Sequence, residues 1–276
     1  MLIEYLILQF FPDFEIASII MKIIFISDIV GQPGREIIAS RLPAFAVTEK
    51  PDFIIANGEN SAGGKGITTA IANELFLLGI NVITLGNHSF DRKEGESALD
   101  SEKILRPANY PPGVPGCGWG IFSNISGQKI VVINLMGRVY MPLTDCPFRT
   151  ASAIVEKLPK GVNTIIVDFH AEVTSEKQAM GWYLDGKVSA VIGTHTHIPT
   201  ADERVMPQGT AYITDAGLTG PIEGVIGMDK ELVLKKFLTA IPQHFEVAKG
   251  RSVMQGCVVT TNDATGKAIL IKRFSL

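Results

Sequence analysis

Short runs of β-branched and other apolar residues alternate along this chain with segments of helical length. Seven of these runs predict strands, at Lys22–Ser27, Phe53–Ala56, Val82–Leu85, Ile130–Leu135, Thr164–Phe169, Val188–Ile192 and Ala211–Thr214. Helices are predicted at Gly34–Val47, Thr68–Leu78, Arg149–Leu158, Ser175–Leu184 and Asp229–Leu238. This alternation indicates an α/β layered fold with a largely parallel sheet. The tail, Cys257–Thr261 with Lys267–Arg273, indicates a β-hairpin that would make the sheet mixed.

The length and composition of the chain indicate one catalytic unit. Of its 276 residues, 46% are hydrophobic, which is enough for a large buried core. We predict a single domain over residues 21–276, preceded by an N-terminal extension at residues 1–20. The longest uncharged stretch of the extension, Tyr5–Pro12, is far shorter than the roughly 20 apolar residues that span a bilayer. The extension has no positive n-region, so we expect a start-site artefact before Met21, or a frayed appendage, rather than a signal peptide.

Charge and cysteine content limit the expected partners and location. The net charge of −3 argues against the global basic field of a non-specific nucleic-acid binder, so no stable nucleic-acid partner is expected. A small anionic substrate needs only a local positive centre, which metal ions can supply. Cys117, Cys146 and Cys257 form no CxxC pair, so neither a disulfide framework nor a zinc-thiolate site is predicted. We expect reduced thiols in a soluble, cytoplasmic protein that does not enter a membrane.

Side chains able to bind metal stand at the ends of five predicted strands. They are Asp28, the pair Glu59-Asn60, the pair Asn87-His88, His170, and His195 with His197. The carboxyl ends of parallel strands lie on one edge of a sheet, so these segments are expected to meet there. Each residue alone has a structural explanation, such as a turn or a helix cap. Because that explanation would have to apply independently to five segments, the pattern predicts a metal site.

The predicted site offers more ligands than one ion needs. Two ions about 3.5–4 Å apart that share one carboxylate would accommodate them. Carboxylate, amide and imidazole groups without thiolate suit Fe, Mn, Zn or Ni better than Ca or Cu(I). We therefore expect two divalent or trivalent metal ions, with iron favoured and manganese or zinc as alternatives. Asp28 and Glu59 cancel only part of the charge of two such ions, which leaves a bridging hydroxide and an anionic phosphate to complete the site.

A glycine-rich run follows the second of these segments. The run AGGKG superficially resembles a phosphate-binding P-loop, but Glu59 stands where that motif needs its first glycine. Gly66 stands where the motif needs Ser or Thr, so we reject an NTPase. Gly63, Gly64 and Lys65 are predicted instead to line the mouth of the site, where Lys65 can meet phosphate. Plain surface exposure of Lys65 is the alternative.

Seven segments of the chain carry a family resemblance: SDIVGQPGR, NGENSAGGKGIT, TLGNHSFDRKE, LRPANYPPG, NLMGRVYMP, DFHAEVTSEK and IGTHTHIPTADERV. They resemble motifs of the YmdB-type bacterial phosphodiesterases, a group within the calcineurin-like metallophosphoesterase superfamily. The resemblance extends from about Met21 to the C-terminus. It implies a layered sandwich, in which two mixed β-sheets face each other with helices outside. It also implies two ligand sets, one of Asp28, Glu59, Asn60 and His197, the other of Glu59, Asn87, His170 and His195.

The chain departs from the broad superfamily pattern at two positions. The usual first motif is Asp-x-His, but Asp28 is followed by Ile29 and Val30, so one imidazole is missing. The residue that bridges the ions is Glu59 where most of the superfamily has Asp. Asn60, directly after the bridge, is the natural substitute ligand, and the YmdB-type group is similar in both respects.

His88 is not needed as a ligand in this scheme and is predicted to be catalytic. Its imidazole can protonate the departing alkoxide or donate a hydrogen bond to a phosphoryl oxygen. A structural role beside Asn87 is the alternative. His244 lies in a late loop without companions and is expected to be incidental.

The resemblance implies a binuclear metal-dependent phosphodiesterase that hydrolyses cyclic nucleotides. It makes 2′,3′-cyclic nucleotides the expected substrates, with attack of a metal-bridging hydroxide on phosphorus. Residue chemistry alone supports only a phosphoester. A phosphomonoesterase or a nuclease on the same two-metal site stays open, as does a metal-stabilised regulatory module with vestigial catalysis. The expected partner is a small-molecule phosphoester, and a homo-oligomer also stays open.

Overall fold

The structure, a computed structural model, describes residues 20–276. Its first sheet contains six strands: β1 (Ile20–Ile26), β3 (Phe53–Asn57), β4 (Val82–Thr84), β5 (Ile104–Leu105), β14 (Gln255–Asn262) and β15 (Ala268–Ser275). Their order across the sheet is β15-β14-β1-β3-β4-β5. Neighbours from β1 to β5 are parallel, whereas β14 pairs antiparallel with both β1 and β15.

The second sheet also contains six strands: β6 (Trp119–Ser123), β7 (Lys129–Met136), β8 (Thr164–His170), β9 (Ala190–Thr194), β10 (Arg204–Val205) and β11 (Ala211–Ile213). Their order is β10-β11-β9-β8-β7-β6, with parallel inner pairs and an antiparallel pair at each edge. A small third sheet joins β2 (Asp28–Ile29), β12 (Leu218–Pro221) and β13 (Ser252–Val253).

Helices cover the outer faces of the two large sheets. These helices are α1 (Gly31–Glu49), α2 (Thr69–Leu77), α3 (Lys93–Ala98), α4 (Pro147–Val155) and α5 (Thr174–Leu184). A further helix, α6 (Lys230–Thr239), follows β12 in the chain. Phe25 and Val132 belong to one core between the sheets. Leu42 of α1 and Met180 of α5 belong to two further cores, one on the outer face of each sheet. Inner strands are therefore buried on both faces, which explains their continuous apolar runs.

The predicted fold class is confirmed, because two mixed sheets face each other between layers of helices. Each strand predicted from the sequence is present, with ends shifted by up to two residues. The alternation of strands and helices suggested one largely parallel sheet, whereas the chain forms two. The short helix α3, the edge strand β6 and the short strands β2, β5, β10, β12 and β13 were not predicted from the sequence.

The predicted N-terminal extension falls almost wholly outside the described residues. Its last residue, Ile20, already belongs to β1 and pairs with Asn262. The division into an extension and a single domain stays a prediction. Within residues 20–276, no helix is long and apolar enough to cross a membrane.

Candidate metal centre

Loops from both large sheets meet at the carboxyl ends of their parallel strands. The predicted ligands there are Asp28 after β1, Glu59 and Asn60 after β3, Asn87 after β4, His170 at the end of β8, and His195 and His197 after β9. Contacts connect all seven side chains into one cluster. Asn87 and His195 are half-buried, and the other five are buried. The structure thus brings the whole predicted set together, while each ligand role stays a prediction.

One half of the cluster surrounds His170. Its Nε2 atom lies 2.8 Å from Glu59 Oε1, 3.1 Å from Asn87 Oδ1 and 3.0 Å from His195 Nδ1. Ligand atoms of Glu59, His170 and His195 lie within 4.8 Å of one another, which is close enough for them to share one metal ion. These four residues are the ones that the family resemblance assigns to a single ion.

The other half of the cluster surrounds His197. Its Nε2 atom lies 3.1 Å from Asn60 Nδ2 and 3.7 Å from Asp28 Oδ1. Asn60 Nδ2 is also 3.3 Å from Glu59 Oε1, so Glu59 contacts both halves, as a bridging ligand would. The amide oxygen of Asn60 is the atom able to bind metal, so binding would require the amide to turn over.

The surroundings of the Asp28 carboxylate indicate that the cluster is short of positive charge. Its Oδ1 atom is buried and has no hydrogen-bond partner among residues 20–276. Burial of this kind disfavours the charged form and raises the pKa of Asp28 to about 6. A cation beside Oδ1 would offset the cost of burying this carboxylate, because the imidazole nitrogens of His197 and His170 are 3.7 and 3.9 Å away, beyond hydrogen-bond distance. The residues present therefore fit a metal ion at this point.

The pKa values in the other half of the cluster, around His170, also indicate a shortage of positive charge. Burial lowers its pKa, but the carboxylates of Glu59 and Asp28 outweigh burial and raise the pKa to about 9. Burial likewise raises the pKa of Glu59, and the charge of His170 outweighs it and brings the value to about 2. Burial, followed by the charge of His170, lowers the pKa of His195 to about 3. These opposite shifts indicate that the buried carboxylates favour a positive charge beside them, which a metal ion could supply.

A relay of hydrogen bonds orients His170 from behind. Its Nδ1 atom lies 2.9 Å from the Thr194 hydroxyl, which donates to Asp168 Oδ1 at 2.7 Å. The other Asp168 oxygen accepts from Thr84 and Asn57. Because Nδ1 is engaged in this way, Nε2 is the atom that faces the cluster. This relay was not predicted, although an aspartate, Asp168, within an otherwise apolar strand was a sequence signal for it.

A buried ion pair fastens the loop that carries the last two imidazoles. His195 and His197 both have positive φ, at 98° and 64°, which is uncommon for residues other than glycine. Thr196, between them, donates its backbone N–H and its hydroxyl to Asp215 Oδ2, at 3.1 and 2.6 Å. Lys177 of α5 pairs with the same oxygen at 2.6 Å. Both charged groups are buried, and neither was predicted from the sequence.

The sequence that carries this cluster matches one protein family over nearly its whole length. A family model described as YmdB-like protein matches residues 24–274. The chain belongs to the YmdB-like family. This membership confirms the resemblance found in the sequence motifs. A relative from Bacillus subtilis (strain 168), named 2′,3′-cyclic-nucleotide 2′-phosphodiesterase, is 47% identical over 254 residues, which cover 92% of this chain and 96% of the relative.

Two solved structures resemble this YmdB-like chain closely. A hypothetical protein from Thermus thermophilus has 38% sequence identity and a TM-score of 0.85, over 93% of this chain and 99% of that one. A protein from Mycoplasma pneumoniae, described as a novel phosphatase, has 34% identity and a TM-score of 0.87, over 93% of each chain. The fold of the YmdB-like chain is therefore shared with proteins across nearly their full lengths.

A cleft of about 600 Å³ opens above the cluster in this YmdB-like protein. Gly63, Gly64 and Lys65 line it as predicted, and Lys65 is exposed. The guanidinium of Arg92 donates to the carbonyl oxygens of Ala62, at 2.6 Å, and Lys65, at 3.1 Å. Arg92 thereby holds the glycine-rich run in place. Whether the three residues contact substrate stays a prediction.

His88 lies in the same cleft and is oriented from two directions. Its backbone N–H donates to Glu59 Oε2 at 3.1 Å, and its Nδ1 atom lies 2.8 Å from Asp91 Oδ2. With Nδ1–H directed at the carboxylate of Asp91, Nε2 is left for a ligand. His244, which we expected to be incidental, also lines the cleft. Its position in a late loop gave no sequence signal for this placement.

Proposed function

We propose that this chain is a metal-dependent phosphodiesterase that hydrolyses 2′,3′-cyclic nucleotides. The observation that carries the proposal is the convergence of seven candidate ligands around Glu59 at the floor of an open cleft. The choice of substrate follows the name of the relative from Bacillus subtilis, which is 47% identical. Phosphoester hydrolysis is also consistent with the resemblance to the phosphatase from Mycoplasma pneumoniae.

We assign two metal ions to the cluster. One would be held by Asp28, Glu59, Asn60 and His197, and the other by Glu59, Asn87, His170 and His195. Ligands of this kind, without thiolate, favour iron, with manganese or zinc as alternatives. When bound, the ions would neutralise charge on the phosphoryl oxygens and activate the attacking water. The relay from Thr194 to Asp168 keeps the His170 ring in the orientation that this scheme requires.

We assign the transfer of a proton to the leaving ribose oxygen to His88. The contact with Asp91 engages Nδ1, so the proton given to the leaving oxygen would come from Nε2, the other ring nitrogen. The hydrogen bond from the His88 backbone N–H to Glu59 supports this assignment, because it holds residue 88 next to the candidate bridging residue. A positioned imidazole of this kind contributes about 10²–10⁴-fold to a proton-transfer step. Lys65, exposed in the cleft, is suited to attract the anionic substrate.

Asn87→Ala tests the proposal most economically. We expect the wild-type protein, stripped with chelator and reloaded with Fe or Mn, to hydrolyse 2′,3′-cAMP and to lose this activity when stripped again. Asn87→Ala should bind less metal and lose most activity, because it removes a ligand oxygen next to His170. Asn124→Ala, in the turn between β6 and β7, is the matched control and should behave as wild type. Full activity in chelator, with Asn87→Ala unaffected, would refute the mechanism.

The same assay separates the alternative functions. A phosphomonoesterase would prefer p-nitrophenyl phosphate, and a nuclease would prefer an RNA oligonucleotide. A vestigial regulatory module would bind metal and hydrolyse none of the three. Binding of a long polyanionic strand is not favoured, because the net charge is −3 and the guanidinium of Arg92 is already engaged with backbone carbonyls.

We also propose a cytoplasmic location. Cys117, Cys146 and Cys257 are all free in the structure, and Cys257 is buried. Unpaired thiols are typical of proteins in a reducing compartment. To test this location, cells are lysed in an alkylating reagent, the protein is unfolded, and the labelled thiols are counted. A disulfide in any fraction of the protein would contradict a cytoplasmic location.

A further inference from the structure

Part of the cleft is not lined by candidate ligands or by charged groups. Ile226 and Met228 from a turn, together with Phe245 from the segment after α6, form what we call the apolar wall. Gln243 and His244 line the cleft beside them. The cleft therefore has two kinds of surface, a charged one around Glu59 and an apolar one with an aromatic ring.

The turn that carries Ile226 is strained. Val225 and Met228 exchange backbone hydrogen bonds of 2.9 Å, which leaves Ile226 and Gly227 at the corner with φ of 49° and 86°. Positive φ is a genuine outlier for a β-branched residue such as Ile226. Such strain persists only where the surroundings fix it, and it is concentrated at functional sites. Ile226 is a large apolar side chain left 46% exposed.

The strained turn is joined directly to the candidate metal centre. The carbonyl oxygen of Ile226 lies 2.9 Å from Nδ1 of His197, so it can accept the proton on that nitrogen. This contact directs Nε2 of His197 towards Asn60 and Asp28. The residue that orients a candidate ligand therefore also presents its side chain to the cleft. The position of the apolar wall relative to the metal centre is fixed by the backbone.

The aromatic part of the wall is held in the same way. Asp229 N–H donates to the Glu246 carbonyl, and Ala248 N–H donates to the Gly227 carbonyl, so the segment around Phe245 is hydrogen-bonded to the turn. Lys236 of α6 lies over the Phe245 ring, 5.0 Å from its centroid. The ring is half-buried, so its position in the cleft is set by these contacts.

We propose that the apolar wall is the subsite for the nucleobase of the substrate. Phe245 would stack on the base, Ile226 and Met228 would contact its faces and edges, and Gln243 and His244 would meet its polar groups. A nucleotide has a phosphate at one end and a flat, largely apolar ring at the other, which matches the two surfaces of the cleft. This inference rests on the proposed function, because it takes the phosphate to sit at the metal centre. Stacking on an aromatic side chain changes base affinity by roughly 5–150-fold.

Phe245→Ala and Phe237→Ala form a matched pair of variants. Phe237 is also aromatic, lies on α6 and is 79% exposed, but it does not line the cleft. Each metal-loaded full-length protein is assayed with 2′,3′-cAMP and with ribose 2′,3′-cyclic phosphate, which has no base. The measured quantity is the ratio of kcat/KM for the two substrates. We expect wild type and Phe237→Ala to favour 2′,3′-cAMP by about tenfold or more, and Phe245→Ala to reduce that ratio towards one.

Two results would overturn the base subsite. One is an equal loss of kcat/KM on both substrates in Phe245→Ala, which would indicate a purely structural role. The other is an unchanged ratio with unchanged rates. Equilibrium binding of adenosine 3′-phosphate to the metal-loaded proteins separates this inference from the proposed function. If wild type hydrolyses neither substrate, the phosphodiesterase proposal fails. The base subsite then stands only if Phe245→Ala weakens the binding of adenosine 3′-phosphate and Phe237→Ala does not.

Discussion

Replacement of Lys177 by Met would leave a buried carboxylate without its counter-charge. Lys177 and Asp215 are 1% and 0% exposed, and their charged atoms are 2.6 Å apart. After the substitution, Asp215 would keep the hydrogen bonds from Thr196 and Gly217 but would lose its only cationic partner among the described residues. Breaking a buried pair by removing one partner costs about 3–5 kcal/mol of the free energy of unfolding. For a chain of this size, that corresponds to a Tm lower by roughly 6–20 °C.

The same substitution should weaken metal binding, because Asp215 fastens the loop between two candidate ligands. Thr196 anchors that loop to Asp215, and the residues on either side of it, His195 and His197, have positive φ. Such conformations cost on the order of 1–3 kcal/mol each, so a loosened loop would relax and move both imidazoles. Lys177→Met should therefore contain less metal than wild type, even at temperatures where it is folded.

Thermal unfolding with and without chelator, together with metal content by mass spectrometry, measures both effects. Lys160→Met, at an exposed position, is the control and should change neither quantity. The double variant Lys177→Met with Asp215→Asn should be more stable than Lys177→Met alone, because it buries no unpaired charge. A Lys177→Met protein with wild-type Tm and full metal content would show that the ion pair does not hold the loop.

Two further predictions concern the imidazoles of the site. His88→Ala should keep the wild-type metal content but lower kcat by about 10²–10⁴-fold. Asp91→Asn should lower kcat less, because Asp91 only orients the His88 ring. Loss of metal from His88→Ala would contradict the proposed role of His88 as a proton donor. Metal binding at pH 7 should displace the proton of His170, whose pKa is raised to about 9 in the metal-free protein, so the number of protons released should fall by one above pH 9, where that proton is already lost. Calorimetry in buffers of different ionisation enthalpy measures the proton, and a heat that is independent of buffer at pH 7 would refute the prediction.

Local sequence signals were sufficient to predict most of the strands of the two large sheets and the candidate ligands. A polar residue directly after a short apolar run marks the end of a buried strand, which is how Asp28, Asn87 and His170 were found. The topology places such ends together, so their convergence followed from the fold class. Pairing of strands into two sheets could not be derived in this way, because the alternation of strands and helices does not specify neighbours. The expectation of two facing sheets depended on the family resemblance.

Residues that support the site from behind were not predicted, because their signals are not local. Lys177 and Asp215 are 38 residues apart, and nothing in the pattern of α5 distinguishes a lysine that points into the protein from one that points into solvent. The apolar wall was missed for a related reason. Ile226 looks like an ordinary loop residue, and only its positive φ and its contact with His197 identify it.

The central claim is that Glu59 is shared by two metal ions. Anomalous diffraction from crystals of the iron- or manganese-loaded protein tests this claim most directly. We predict two anomalous peaks about 3.5–4 Å apart on either side of Glu59. One should contact Asn60 and His197, and the other should contact Asn87, His170 and His195. A single peak, or two peaks that do not share Glu59, would contradict the account.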